Sequence, residues 1–113
     1  MKYSLFIGRW QPWHKGHRWL IDQRLNEGLN VCIAIRDVKK DKSNPFSPSE
    51  IKENLEKELF ELIDSKRVKV IIMPDIESIN YGRGVGYDII EHKPPKDIKK
   101  ISATAIRKKL FSD

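Results

Sequence analysis

Apolar positions along the chain fall into short blocks separated by stretches with a three- and four-residue rhythm, the pattern of strands alternating with helices. Tyr3-Ser4-Leu5-Phe6-Ile7, closed by Gly8, predicts a buried strand over about residues 2–8. A helix is expected from about Gly16 to Glu27, with Trp19, Leu20 and Leu25 on its inner side and Gly28 ending it in a left-handed conformation. Val31-Cys32-Ile33-Ala34-Ile35 predicts a second, fully buried strand. The charged, aperiodic stretch from Val38 to Pro45 predicts a surface loop.

Ser47-Pro48-Ser49-Glu50 then offers a capping serine, a proline at the first helical position and a glutamate that can return a hydrogen bond, so a helix should start at Pro48. Ile51, Leu55, Leu59, Leu62 and Ile63 form its apolar stripe, which must pack on a core. Val68 to Met73 predicts a third strand ended by Pro74; Ile76–Tyr81 and Val85–Ile90 are expected to add short strands around the glycines at 82, 84 and 86. A last helix is expected from about Ala103, with Ser102 as its N-cap and Ile101 and Ile106 as a hydrophobic staple. This alternation implies right-handed crossovers and a parallel sheet covered on both faces, a small doubly wound α/β domain of Rossmann-like type spanning residues 1–113.

Composition narrows the function. The 113 residues carry a formal net charge of +6, which suits anionic ligands. The basic residues are dispersed along the chain and show no nucleic-acid-binding signature, which argues against a nucleic-acid module. Neither a membrane-length apolar run nor an export leader is visible, so a soluble cytoplasmic protein is the expectation. The single cysteine, Cys32, lies in an apolar strand and predicts no redox or metal chemistry. A transition-metal site is not expected either, because His92 stands apart from His14 and His17.

The chemistry-bearing residues gather where the first strand hands over to the first helix. Gly8-Arg9-Trp10-Gln11-Pro12-Trp13-His14-Lys15-Gly16-His17 combines glycines that permit close backbone approach, a helix N-terminus, two imidazoles and two cations, the ingredients of a phosphate cradle. In an α/β sheet this position lies beyond a strand's carboxyl end, where ligands bind. Trp10 and Trp13 suit either the core or the wall of a ligand pocket. Three glycines at 82, 84 and 86 lack the strand-before, helix-after context of a dinucleotide fingerprint and suggest a tight turn or a close approach to a base.

This loop resembles the G-R-F-Q-P-x-H-x-G-H signature of the HxGH nucleotidyltransferase superfamily, especially the nicotinamide mononucleotide adenylyltransferases. Ile101-Ser102-Ala103-Thr104-Ala105-Ile106-Arg107 is similar to the I-S-x-T-x-I-R motif of the same superfamily, and Asn44-Pro45-Phe46-Ser47 to the N-P-F-T stretch of its adenylyltransferase branch. The resemblance implies transfer of a nucleoside monophosphate, AMP from ATP, to a phosphate-bearing acceptor such as a mononucleotide, with release of pyrophosphate. His14, His17 and Arg107 would be catalytic. Gly8, Arg9, Trp10, Lys15, Gly16, Arg83, Ser102 and Thr104 would contact the nucleotide, and Trp13, Asp37 and Asn44 the acceptor. Magnesium would arrive on the triphosphate.

Cytidylyltransferases acting on phosphorylated alcohols share the HxGH and final-helix motifs, so CTP stays open beside ATP. A nucleotide-sensing or nucleic-acid-binding module without turnover is the alternative of another class. Small domains of this superfamily often form homo-oligomers, and nothing in the sequence decides for or against one.

Overall fold

The computed structural model describes residues 1–83 and 86–99. Its elements run β1 (Tyr3–Gly8), α1 (Lys15–Leu25), β2 (Asn30–Asp37), α2 (Pro48–Glu58), α3 (Phe60–Asp64), β3 (Val68–Pro74) and α4 (Lys96–Lys99). The three strands form one parallel sheet in the order β1-β2-β3, an α/β arrangement of small Rossmann-like type. The register places Ser4, Val31 and Val68 side by side, then Phe6, Ile33 and Val70. Because side chains alternate between faces, these residues, apolar but for Ser4, lie on one side of the sheet.

That side is the core. Val31, Ile33 and Ile35 are fully buried there with Ile21 and Leu25 of α1 and Ile51 and Leu55 of α2. A single cluster holding residues of both helices means that α1 and α2 cover the same face, as two right-handed crossovers stepping in one direction require. Among the described residues, the strand order does not reverse. On the opposite face Tyr3 and Leu5 remain exposed, Leu5 by 58%. Among the described residues, no helix is long and apolar enough to cross a membrane.

The helix boundaries follow local chemistry. Ser47 caps α2 as expected: Glu50 N–H donates to its hydroxyl at 3.2 Å, and Glu50 Oε1 accepts from Ser47 N–H at 3.2 Å. Those bonds also hold the Glu50 carboxyl below its usual range. The stripe Ile51, Leu55 and Leu59 is buried, but the helix breaks at Leu59 (φ −112°), so Leu62 and Ile63 reach the core from a separate turn, α3. Gly28 adopts φ +79° and ends α1 as expected, with Gly28 N–H donating to Leu25 O. Arg67 ties that end to the sheet, donating to the carbonyls of Leu25 and Leu29 and to Asn30 Oδ1.

Three expectations change. Trp19 is half-buried and stands outside the core cluster, while Leu20, Ile21 and Leu25 supply the inner side of α1. Residues 76–81 form no strand, and neither do residues 86–90. Ile79, Tyr81, Ile89 and Ile90 are exposed, so the apolar content that suggested strands has no sheet partner to pair with. The expected last helix from Ala103, like Gly84 and Val85, lies outside the described residues.

Candidate nucleotide site

The strand-to-helix loop is built on a buried tryptophan. Trp10 takes a left-handed backbone conformation (φ 54°), which costs a residue with a side chain on the order of 1–3 kcal/mol. Burial offsets that cost: only 6% of Trp10 is exposed, and its indole Nε1–H donates to Ala34 O at 3.1 Å. Gly8 makes room for this ring. A Cβ at Gly8 would stand 3.0 Å from Trp10 Cε2, closer than ordinary packing allows. Gly8 and Trp10, expected to contact nucleotide, thus join in shaping the loop from beneath, Trp10 as part of the core.

Past a cis Gln11–Pro12 bond, the loop enters α1 through a pair of histidines. His14 is the N-cap, and its Nδ1 accepts from Gly16 N–H at 3.0 Å; His17, three residues on, returns the bond by accepting from His14 N–H on its own Nδ1 at 3.2 Å. This is a capping box in which two imidazoles replace the usual serine and glutamate. The rings stack with centroids 3.7 Å apart and 22° between planes. Trp10 meets His17 edge-on at 4.9 Å, and Trp13 lies against it at 5.3 Å.

The cap fixes the protonation of both rings. A nitrogen that accepts a hydrogen bond carries no proton, so Nε2 is the N–H of each neutral ring. Burial lowers the pKa of His14, and burial followed by the neighbouring His14 lowers that of His17 to about 3. Near neutral pH the helix start therefore presents two uncharged Nε2–H donors at the positive end of its dipole. Gly16 sits in the first turn with its N–H donated to His14 Nδ1, and Lys15 is exposed at the first helical position.

A second loop is tied to this one. The Gln11 side chain, 2% exposed, donates from Nε2 to Phe46 O at 2.7 Å and accepts on Oε1 from Phe46 N–H at 3.0 Å. Arg9 Nη1 donates to Asn44 Oδ1 at 3.1 Å. Asn44 is itself buried, and its Nδ2 donates to Asp41 Oδ1 at 3.0 Å. Asp41 Oδ1 also accepts from the backbone N–H groups of Ser43 and Asn44, both at 2.8 Å, and the bonds from Asn44 lead in holding its carboxyl below the usual range.

The structure thus gathers Gly8, Arg9, Trp10, Trp13, His14, Lys15, Gly16, His17 and Asn44 around one strand end. Asp37 is exposed at the end of β2, and Arg83 is exposed in a turn. Ser102, Thr104 and Arg107 lie outside the described residues. His92 stacks on Phe6 at 6.0 Å, away from the other two histidines. Gln11 and Asp41 were not singled out from sequence; Gln11 stood within the recognised signature, and Asp41 three residues before an asparagine is a local turn signal. A surface hollow of about 690 Å³ over α2 and β3, lined among others by Lys52, Phe60 and Ile72, is separate from the loop.

Curated proteins match part of this chain. The nicotinamide-nucleotide adenylyltransferase of Pyrococcus furiosus is 38% identical over 80 residues, covering 67% of this chain and 43% of its own length. That of Thermococcus onnurineus is 36% identical over 77 residues, 66% of this chain and 41% of its own. That of Methanococcus aeolicus is 43% identical over 49 residues, 42% and 28%. The chain belongs to the nucleotidyltransferase superfamily.

Within that superfamily it stands beside the nicotinamide-nucleotide adenylyltransferases, and it spans less than half the length of these curated relatives. No protein-family model and no solved structure matches it. The nucleotidyltransferase loop described above is donor-rich and carries no carboxylate among its own residues 8–17. Such a donor set suits a polyanion better than a bare divalent cation, and among the described residues no group of three His, Cys, Asp or Glu side chains could hold a metal ion.

Proposed function

We propose that this chain carries the nucleotide site of an adenylyltransferase, which moves AMP from ATP to a phosphate-bearing mononucleotide. The observation that carries the reading is the double-histidine cap at the start of α1. In the reaction an acceptor phosphate oxygen bonds to the α-phosphorus. The bond from that phosphorus to the oxygen bridging to the β-phosphate breaks, and pyrophosphate leaves with the electron pair. No covalent enzyme intermediate is needed, so catalysis rests on donors placed where negative charge grows.

His14 and His17 supply such donors through Nε2–H, held rigidly because each Nδ1 is engaged with the backbone. Arg9 and Lys15 add positive charge, and Gly16 keeps its place in the first turn of α1 free of a side chain. Ser102, Thr104 and Arg107 take hydroxyl and guanidinium roles toward the β- and γ-phosphates through the resemblance of their motif. Trp13, Asp37 and Asn44 belong to the acceptor side, and Gly8, Trp10 and Arg83 to the nucleotide side. Magnesium enters with the triphosphate and neutralises part of its charge. The relatives' name, nicotinamide-nucleotide adenylyltransferase, supports ATP and a mononucleotide as the pair.

Pyrophosphate release with ATP or CTP against a panel of phosphorylated acceptors tests the reading. The wild-type chain should react with ATP and a mononucleotide, and His17→Ala should fold while losing on the order of 100- to 1,000-fold in rate. Wild-type turnover in His17→Ala, or no release with any pair, rejects the proposal.

A further inference from the structure

Arg9, like Arg67 with its bond to Asn30 Oδ1, is held by a neutral amide oxygen and not by a carboxylate. Arg18, Arg24 and Arg36 each meet a carboxylate at 2.7–3.0 Å, which cancels much of their charge. Arg9 instead donates to a neutral amide oxygen, that of Asn44, and among the described residues it forms no ion pair. The negative group stands one step back: Asp41 Oδ1 binds the amide Nδ2 of Asn44 on the far side from Arg9.

The amide is therefore polarised and fixed in one orientation. With Nδ2 held by a carboxylate, Oδ1 must face the guanidinium, since a flipped amide would present N–H to N–H. Two backbone bonds from Ser43 and Asn44 hold the carboxylate in turn, and the Gln11–Phe46 pair holds the following residues of this turn to the histidine loop. Orientation is achieved without a direct ion pair, the Asp41 charge acting on Arg9 only across the intervening amide. A guanidinium held by a carboxylate would be a poor anion receptor, whereas one held by an amide keeps its full charge and its remaining N–H donors.

We infer that Asp41 is a positioning residue, which acts through the Asn44 amide to hold the charged Arg9 guanidinium ready for the polyphosphate of the nucleotide. This deepens the adenylyltransferase reading and rests on it for the identity of the anion. Asp41 itself is exposed, so its replacement leaves the core intact.

Calorimetric titration with inorganic tripolyphosphate and with magnesium ATP, joined to ¹⁵N NMR of the Arg9 Nε–H group, tests the inference on the full chain. Asp41→Ala should keep the wild-type melting temperature to within a few degrees, weaken tripolyphosphate binding on the order of 3- to 10-fold and loosen the Arg9 signal. Asp41→Asn, which keeps the turn-forming oxygen, should restore most of the affinity and the order. In an Arg9→Ala background, itself weakened on the order of 10- to 100-fold, Asp41→Ala should change nothing further. An equal loss in both backgrounds, or full affinity with an ordered Arg9 in Asp41→Ala, overturns the inference. If the wild-type chain binds neither tripolyphosphate nor ATP, the adenylyltransferase reading falls, and the Arg9 signal alone decides whether Asp41 positions it.

Discussion

Gly8 and Trp10 act as one unit. The indole packs tightly against the Cβ position of Gly8, 3.0 Å away, and its Nε1–H bond to Ala34 O holds it there. Gly8→Ala should therefore destabilise the chain by about 1–3 kcal/mol, read as a lower urea midpoint at unchanged slope. Had the ring been free to yield, the change would be neutral. In sequence the glycine looked like a phosphate-binding feature, since turns and close anion approaches both favour glycine. What the sequence does not display is that a residue two positions on folds back against the vacant Cβ site. The pair of histidines was legible for the opposite reason: their relation is local, three residues apart at a helix start.

At the level of the helix, α1 begins on a cap whose members titrate. Both imidazoles have pKa values below the ordinary 6.5, that of His17 about 3, so the folded chain resists protonation that the unfolded chain accepts. Between pH 6.5 and about 3 the unfolded state binds more protons, and stability must fall as the pH falls through that window. Above pH 6.5 the histidines contribute no slope. A melting-temperature series from pH 7.5 to 5 should show this decline, before most carboxylates titrate. His17→Gln keeps an acceptor for His14 N–H at the same helical position and should flatten the profile. The α2 start, by contrast, uses Ser47 and Glu50 and does not titrate in that range. That cap was readable because serine, proline and glutamate at fixed offsets announce it. The break at Leu59 was not, because the apolar rhythm continues across it and tertiary packing decides where the backbone bends.

Over the whole molecule, a single cluster joins the sheet to both crossover helices, with Leu55 fully buried at its centre. Leu55→Ala should cost about 2–5 kcal/mol, measured by chemical denaturation, because neither helix can collapse onto the void without leaving β2. The β-α-β-α-β order was legible from periodicity alone. The segment after Pro74 was not: apolar residues at 76–81 and 86–90 suggested strands, yet strand propensity acts only where a neighbouring strand supplies pairing. The candidate site was half-legible in the same sense. Its helix start could be read residue by residue, whereas the Arg9–Asn44 and Gln11–Phe46 bonds each span 35 positions.

The residue after Asn44 gives that long-range arrangement chemical durability. An asparagine ordinarily ages to aspartate when the backbone nitrogen of the next residue attacks its side-chain carbonyl. Here that nitrogen belongs to Pro45, which has no N–H and cannot close the ring as an amide nitrogen does. Spontaneous conversion of Asn44 would set a carboxylate against Arg9 and offset much of its charge. The proline closes the usual route to that lesion, so the neutrality of the amide is protected over the lifetime of the protein.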